Sequence, residues 1–244
     1  MLKKFLYTGP SWAKHSYPIA DNNTNLAQQW DFDYIDFTES GDGNHAFFPR
    51  IKLCADDNIP IVWLYCEPLL SLGPATGLSM AEFVVSENWQ DIREVCNQYC
   101  LNLINSLPNP VLLVGAHSDI VNFNNYKSTL QIGEISWQKW MAQQAGLVVD
   151  DSIHVTPQDG GKYNLDLCWG AEIVHKFLHE NPNINPVPSL LGAVWDVYYF
   201  WQYLEQQGWF SEVHPNRHSN VEFAKFLKPK IEQFLLLLNK PIGN

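Results

Sequence analysis

The sequence predicts an α/β fold: three layers, α/β/α, around a mainly parallel sheet, with an aromatic-rich helical insertion ahead of the last helix. Three observations carry this. Short apolar runs at Phe5-Leu6-Tyr7, Ile61-Val62-Trp63-Leu64-Tyr65 and Val111-Leu112-Leu113-Val114 are separated by helical stretches, the interval expected of crossover units. The middle run is apolar at every position, as in a strand buried on both faces. Of 244 residues, 46% are hydrophobic and 17% charged, a balance that supports a sizeable core and argues against disorder.

The elements follow in order. Strand one covers about Leu2 to Thr8 and ends at Gly9-Pro10-Ser11. Asn22 to Trp30 reads as a short helix with Asn or Asp as its cap. Asp33 to Phe37 alternates polar and apolar residues as a short strand. Asn44 to Asp57 carries Phe47, Phe48, Ile51 and Cys54 at helical spacing, with Pro49 limiting where the helix begins. Pro60 to Cys66 is the clearest strand. Glu67 to Val85, rich in Gly and Pro, reads as a loop. Ser86 then caps a long amphipathic helix containing Trp89, Ile92, Cys96, Tyr99, Cys100, Leu103 and Leu107. Pro110 to Gly115 is the fourth strand.

The second half changes character. Helices are expected at Ser136 to Ala145, at Tyr163 to His179, and at Ser189 to Gln207, the last loaded with Trp195, Tyr198, Tyr199, Phe200, Trp201 and Tyr203. Asn220 to Asn239 is the final helix. The chain is thus expected to be a single α/β domain over 1–244, with 120–208 a helical insertion or cap layer. Most of those aromatic residues are expected in the core, since aromatics dominate buried area. The aromatic surfaces of these middle helices could otherwise line an acyl or sugar pocket, or face an oligomer or protein partner.

Composition narrows the function. A net charge of -11 leaves no basic footprint for nucleic acid. No stretch approaches the roughly 20 apolar residues of a membrane span. The apolar run behind Lys3-Lys4 is too short for a signal peptide, so a soluble, cytoplasmic protein is expected. Five cysteines without a C-x-x-C pattern suggest free buried thiols. No phosphate-binding or dinucleotide fingerprint is present, and no cofactor is expected.

The chemistry-bearing motifs lie where such folds bind ligands, beyond the carboxyl ends of the strands. Gly9-Pro10-Ser11 follows strand one, Ser40-Gly41-Asp42 follows strand two, and His214-Pro215-Asn216 precedes the last helix. In this order and spacing they resemble the SGNH (GDSL-type) hydrolases, a family of lipases, esterases and carbohydrate deacetylases with a flavodoxin-like sheet. The resemblance does not extend over about 120–205. It implies Ser11 as nucleophile, His214 as its base, and the backbone N–H groups of Ser11 and Gly41 as oxyanion donors. A serine hydroxyl needs such a base within hydrogen-bond reach, and acyl transfer needs such donors.

Two positions depart from the family's letters. Glu67 stands where the family has an asparagine donor, so Asn44 is the candidate replacement, and Glu67 must point away, be protonated or serve another task. Ser211 stands where the family has an aspartate, leaving Glu212 to orient the imidazole, or a Ser-His dyad. His117 and Asp119 follow strand four and are expected beside Glu67 in the same cleft.

The expected function is therefore a serine esterase or carbohydrate/acyl deacetylase acting on a small-molecule or glycan ester. Two alternatives remain open. One is a weakened or inactive relative that binds a glycan or protein. The other is a metal-dependent phosphoesterase, suggested by Gly43-Asn44-His45 and by the imidazoles and carboxylate of His45, His117, Asp119, His214 and His218. The rest of the metallophosphoesterase pattern is missing, so no metal ligand set is assigned.

Overall fold

A computed structural model describes residues 4–14, 25–54, 59–117, 129–131, 136–149, 154–156 and 162–238. The central sheet has five strands: β1 (Lys4–Thr8), β2 (Asp33–Asp36), β3 (Ile61–Tyr65), β4 (Val111–Gly115) and β5 (Thr129–Gln131). Their order is β2-β1-β3-β4-β5 and every pairing is parallel. The direction of winding reverses between β1 and β3, which opens a crevice at the carboxyl ends of those strands. The sequence-predicted α/β/α architecture is the observed one.

Two hydrophobic cores sandwich the sheet, and the strands feed them alternately. Phe5, Tyr7, Val62, Leu64, Leu112 and Val114 face one core, whereas Leu6, Ile61, Trp63, Tyr65, Val111 and Leu113 face the other. This is the period-two alternation of a pleated strand. On the second side lie α2 (Asn44–Cys54) and much of α5 (Trp89–Asn105). On the first lie α6 (Trp137–Gln144), α8 (Pro188–Gln206) and α9 (Arg217–Leu238). Among the described residues no helix is long and apolar enough to cross a membrane.

Several elements differ from expectation for local reasons. The predicted helix at 22–30 is, in its described part, a 3₁₀ turn at Leu26–Gln29, held by an Asn25–Gln28 capping box. Helix α2 begins at Asn44 and carries Pro49 in its interior. The predicted loop at 67–85 is helical in three pieces: a 3₁₀ turn at Pro68–Ser71, α3 (Leu72–Thr76) and α4 (Met80–Val84). Proline starts the first piece at a position where its missing N–H costs nothing. A Ser79–Glu82 capping box starts α4.

The 120–208 segment is not purely helical. It supplies β5 to the main sheet and a small antiparallel sheet of β6 (Val148–Val149), β7 (His154–Thr156) and β8 (Tyr163–Asn164). Tyr163 therefore begins a strand, and α7 runs only over Gly170–Glu180. The Asn164 side chain accepts the Asp166 N–H at 2.8 Å, an Asx turn that keeps the chain out of helix just there. Helix α8 buries Val197, Phe200, Trp201 and Leu204 in the core but leaves Trp195 and Tyr199 about half exposed.

Candidate active site

Strand β1 ends in a turn that only glycine permits. A Cβ at Gly9 would lie 2.7 Å from Leu64 Cβ and 2.8 Å from Ala13 Cβ. With no side chain there, the chain folds tightly over β3 into a short helix, α1 (Ser11–Lys14). The Pro10 carbonyl accepts the Ala13 and Lys14 N–H groups. Ser11 is the first residue of that turn and is almost wholly buried.

His214 reaches it from the far end of the sequence. Strands β9 (Phe210–Ser211) and β10 (His214–Pro215) form a hairpin whose two-residue turn is Glu212-Val213. Both turn residues have positive φ, 50° and 57°, as a type I′ turn requires. Ser11 Oγ lies 3.0 Å from His214 Nε2, and His214 Nδ1 lies 2.8 Å from the Glu212 carbonyl oxygen. A carbonyl only accepts, so Nδ1 carries the proton and donates it to Glu212 O. Nε2 is then bare and accepts from the Ser11 hydroxyl. The local backbone thus sets the tautomer a general base needs.

This corrects the role expected of Glu212. Its carboxylate is exposed and pairs with no described residue; its main-chain carbonyl orients the imidazole. A β-branched valine at φ 57° is strained, by roughly 1–3 kcal/mol for such a residue. Replacing Glu212-Val213 by Asn-Gly is expected to raise stability by about 1 kcal/mol or more, hence Tm by roughly 2–4 °C. The Nδ1–H bond of His214, and any rate that depends on it, should change by less than about twofold, because the carbonyl remains in place. Thermal melts and initial rates on the double variant check both.

Gly41 borders the same cleft as Ser11. Its φ of +81° is the left-handed conformation that glycine adopts freely. The segment before it is tied to β1 through Phe37 N–H to Tyr7 O and Glu39 N–H to Gly9 O. Neither the Ser11 nor the Gly41 N–H donates to another described residue. Asn44 is not a third donor. Its Oδ1 accepts the Trp63 indole N–H and the Cys66 N–H, and its Nδ2 donates to Cys66 O at 3.0 Å. The carboxamide clamps the end of β3 inside the protein.

Glu67 is turned away from the cleft, into the core. Its two carboxylate oxygens accept from Arg93 Nε and Nη2 at 2.7 and 2.9 Å, and one also accepts the Leu69 N–H. Burial alone would lower the Arg93 pKa, but the Glu67 carboxylate outweighs it and holds the guanidinium firmly protonated. His117 is likewise interior rather than in the cleft. Its Nδ1 accepts the Glu67 N–H at 3.0 Å, and its ring stacks on Trp169 at 5.1 Å. Burial, with His214 and Arg93 nearby, depresses its pKa well below the usual range, so the ring is neutral. Asp119 lies outside the described residues.

Among the described residues no group of three or more His, Cys, Asp or Glu side chains is placed to hold a metal. His45 is bonded to Ser71 Oγ and His218 packs on the Trp209 ring. Cys66, Cys96, Cys100 and Cys168 are free and buried.

The cleft has a volume of about 480 Å³. Ser11, Gly41 and His214 border it, together with Leu70 and Met80, and with Trp169, Ile173 and Phe177 at and along α7. The sequence allows the aromatic surfaces of the middle helices to line a pocket, without saying which residues do so. Trp169 meets the His214 ring edge-on at 4.9 Å. Burial raises Glu172 to about 7, with Lys176 pulling it back. The four-residue spacing of Trp169, Ile173 and Phe177 is visible in the sequence, but nothing there says which surface that stripe faces.

No family model matches the chain, and no curated protein does. It is similar to a solved structure, the crystal structure of the Bacillus subtilis protein YxiM, at 12% identity and a TM-score of 0.40. The match covers 95% of this chain and 57% of that one, so the chain spans little more than half the length of the protein it matches.

Proposed function

We propose that this chain is a serine hydrolase of the SGNH type, an esterase or deacetylase that works through an acyl-enzyme on Ser11. The observation that carries the reading is the Ser11 Oγ–His214 Nε2 approach of 3.0 Å, made with the imidazole tautomer fixed by Glu212 O. As Ser11 Oγ attacks the ester carbonyl carbon, its proton passes to Nε2. The resulting imidazolium keeps its Nδ1–H on the Glu212 carbonyl. The oxyanion takes hydrogen bonds from the Ser11 and Gly41 amides. When the tetrahedral adduct collapses, Nε2 returns the proton to the departing alkoxide. Water then repeats the cycle on the acyl-enzyme, giving the carboxylic acid and free Ser11.

Two departures from the family pattern no longer weigh against this reading. Glu67 brings no charge to the oxyanion, because Arg93 holds it in the core. A main-chain carbonyl takes the place of the missing aspartate.

The test is covalent. A fluorophosphonate probe should label the protein once, at Ser11, and p-nitrophenyl acetate should be hydrolysed. Ser11→Ala should abolish both. Equal behaviour of Ser11→Ala and the wild type would end the hydrolase reading.

A further inference from the structure

One helix, α7, supplies much of the lining of the cleft beside Ser11 and His214, and its composition is ordered. Trp169, Ile173 and Phe177 follow one another at four-residue steps along one stripe, and Glu172, Lys176 and Glu180 follow at the same steps beside it. All six border the cleft. Trp169 touches the His214 ring, so the stripe starts at the reacting serine. Glu180 ends α7, roughly 16 Å further along the helix axis at 1.5 Å per residue. The cleft these residues border has a volume of about 480 Å³. Leu70 and Met80 add apolar surface to the same cleft.

Among the described residues that border the cleft, Asp42 is engaged by Arg50 at 3.0 Å, and Glu172, raised to about 7 by burial, has the cation Lys176 one turn on, which leaves Glu180 as the carboxylate at the far end of α7. The whole chain carries a net charge of -11. An anionic group at that end would meet the Glu180 carboxylate within a Debye length.

We infer that the cleft selects an ester with an apolar chain that runs from Ser11 along α7, and that it discriminates against chains ending in a negative charge. This rests on the hydrolase reading and adds to it the class of substrate. Trp169, Ile173 and Phe177 contact the chain, and Glu180 sets the charge preference at its end.

The experiment has three arms. In the first, kcat/KM for p-nitrophenyl esters should rise at least tenfold from acetate to decanoate. The decanoate-to-acetate ratio should fall at least fivefold in Phe177→Ala and in Met80→Ser. In the second, mono-p-nitrophenyl adipate should be at least tenfold poorer than p-nitrophenyl hexanoate, with Glu180→Gln narrowing the gap. In the third, calorimetry on Ser11→Ala protein should detect decanamide binding that Phe177→Ala weakens at least fivefold, which needs no turnover. A flat chain-length series in an enzyme that takes the fluorophosphonate overturns the inference and leaves the hydrolase reading standing. So does faster release of acetate from an acetylated oligosaccharide than from any alkyl ester. An unlabelled Ser11 with decanamide still bound along α7 overturns the hydrolase and preserves the apolar chain site. Failure to bind decanamide overturns that site itself.

Discussion

Replacing His214 by alanine is expected to lower p-nitrophenyl acetate turnover by about 10³–10⁴, and adding Ser11→Ala should lower it little further. In the proposed mechanism the hydroxyl and the imidazole act as one unit: each is inert in this chemistry without the other. Ser11 Oγ has a base at 3.0 Å, and that base is held in the accepting tautomer by the carbonyl two residues before it. The size of the loss also bears on that carbonyl. A neutral oxygen stabilises the imidazolium less than a carboxylate, since charge-assisted hydrogen bonds are roughly twice as strong. The wild type should therefore turn over more slowly than a hydrolase with a full triad, which brings it nearer the residual rate of the variant. Initial rates on the two single variants and the double variant decide the matter. Losses that add fully in the double variant would show two independent effects and no Ser-His unit.

What the sequence revealed was whatever is written in side-chain type and order. Val62 and Leu64 alternate with Ile61, Trp63 and Tyr65 between two cores, and an unbroken apolar run is the mark of such a strand. Gly9, Ser11 and His214 carry their message in their identity: one needs no Cβ, one a hydroxyl, one an imidazole. Their meeting across 203 positions follows from motif order on a parallel sheet. The support of His214 was invisible for the opposite reason. Every residue has a carbonyl, and what selects that of Glu212 is a pair of positive φ angles at residues that disfavour them. Glutamate and valine give no turn signal of the Asn-Gly kind. Pro68 and Gly73 misled in their own way, since proline suits a helix start as well as a loop. Asn44 looked like a donor and proved to be a clamp, because its partners Trp63 and Cys66 are contacts that only the folded chain creates.

Arg93→Met is expected to destabilise the fold by about 3–5 kcal/mol, lowering Tm by roughly 10 °C, while Arg93→Met with Glu67→Gln should recover a large part of the loss. Glu67 is fully buried and its carboxylate is fixed by two guanidinium hydrogen bonds. Removing the arginine leaves a desolvated anion with only the Leu69 N–H to support it. Glutamine at 67 keeps an acceptor for that amide and removes the stranded charge, so the double variant should melt above the single one. The ion pair also bears on chemistry. The Glu67 N–H donates to His117, whose ring stacks on Trp169, and Trp169 in turn packs against His214. A carboxylate released from Arg93 can pull this chain of contacts out of place and carry its charge toward the oxyanion. At temperatures where Arg93→Met remains folded, its turnover should accordingly fall further below the wild type than that of the double variant. Denaturant melts and rates on all four proteins, Glu67→Gln alone included, give the coupling energy. A coupling near zero would mean that the pair contributes no more than an exposed surface contact, and the account of why Glu67 stays out of the cleft would fail with it.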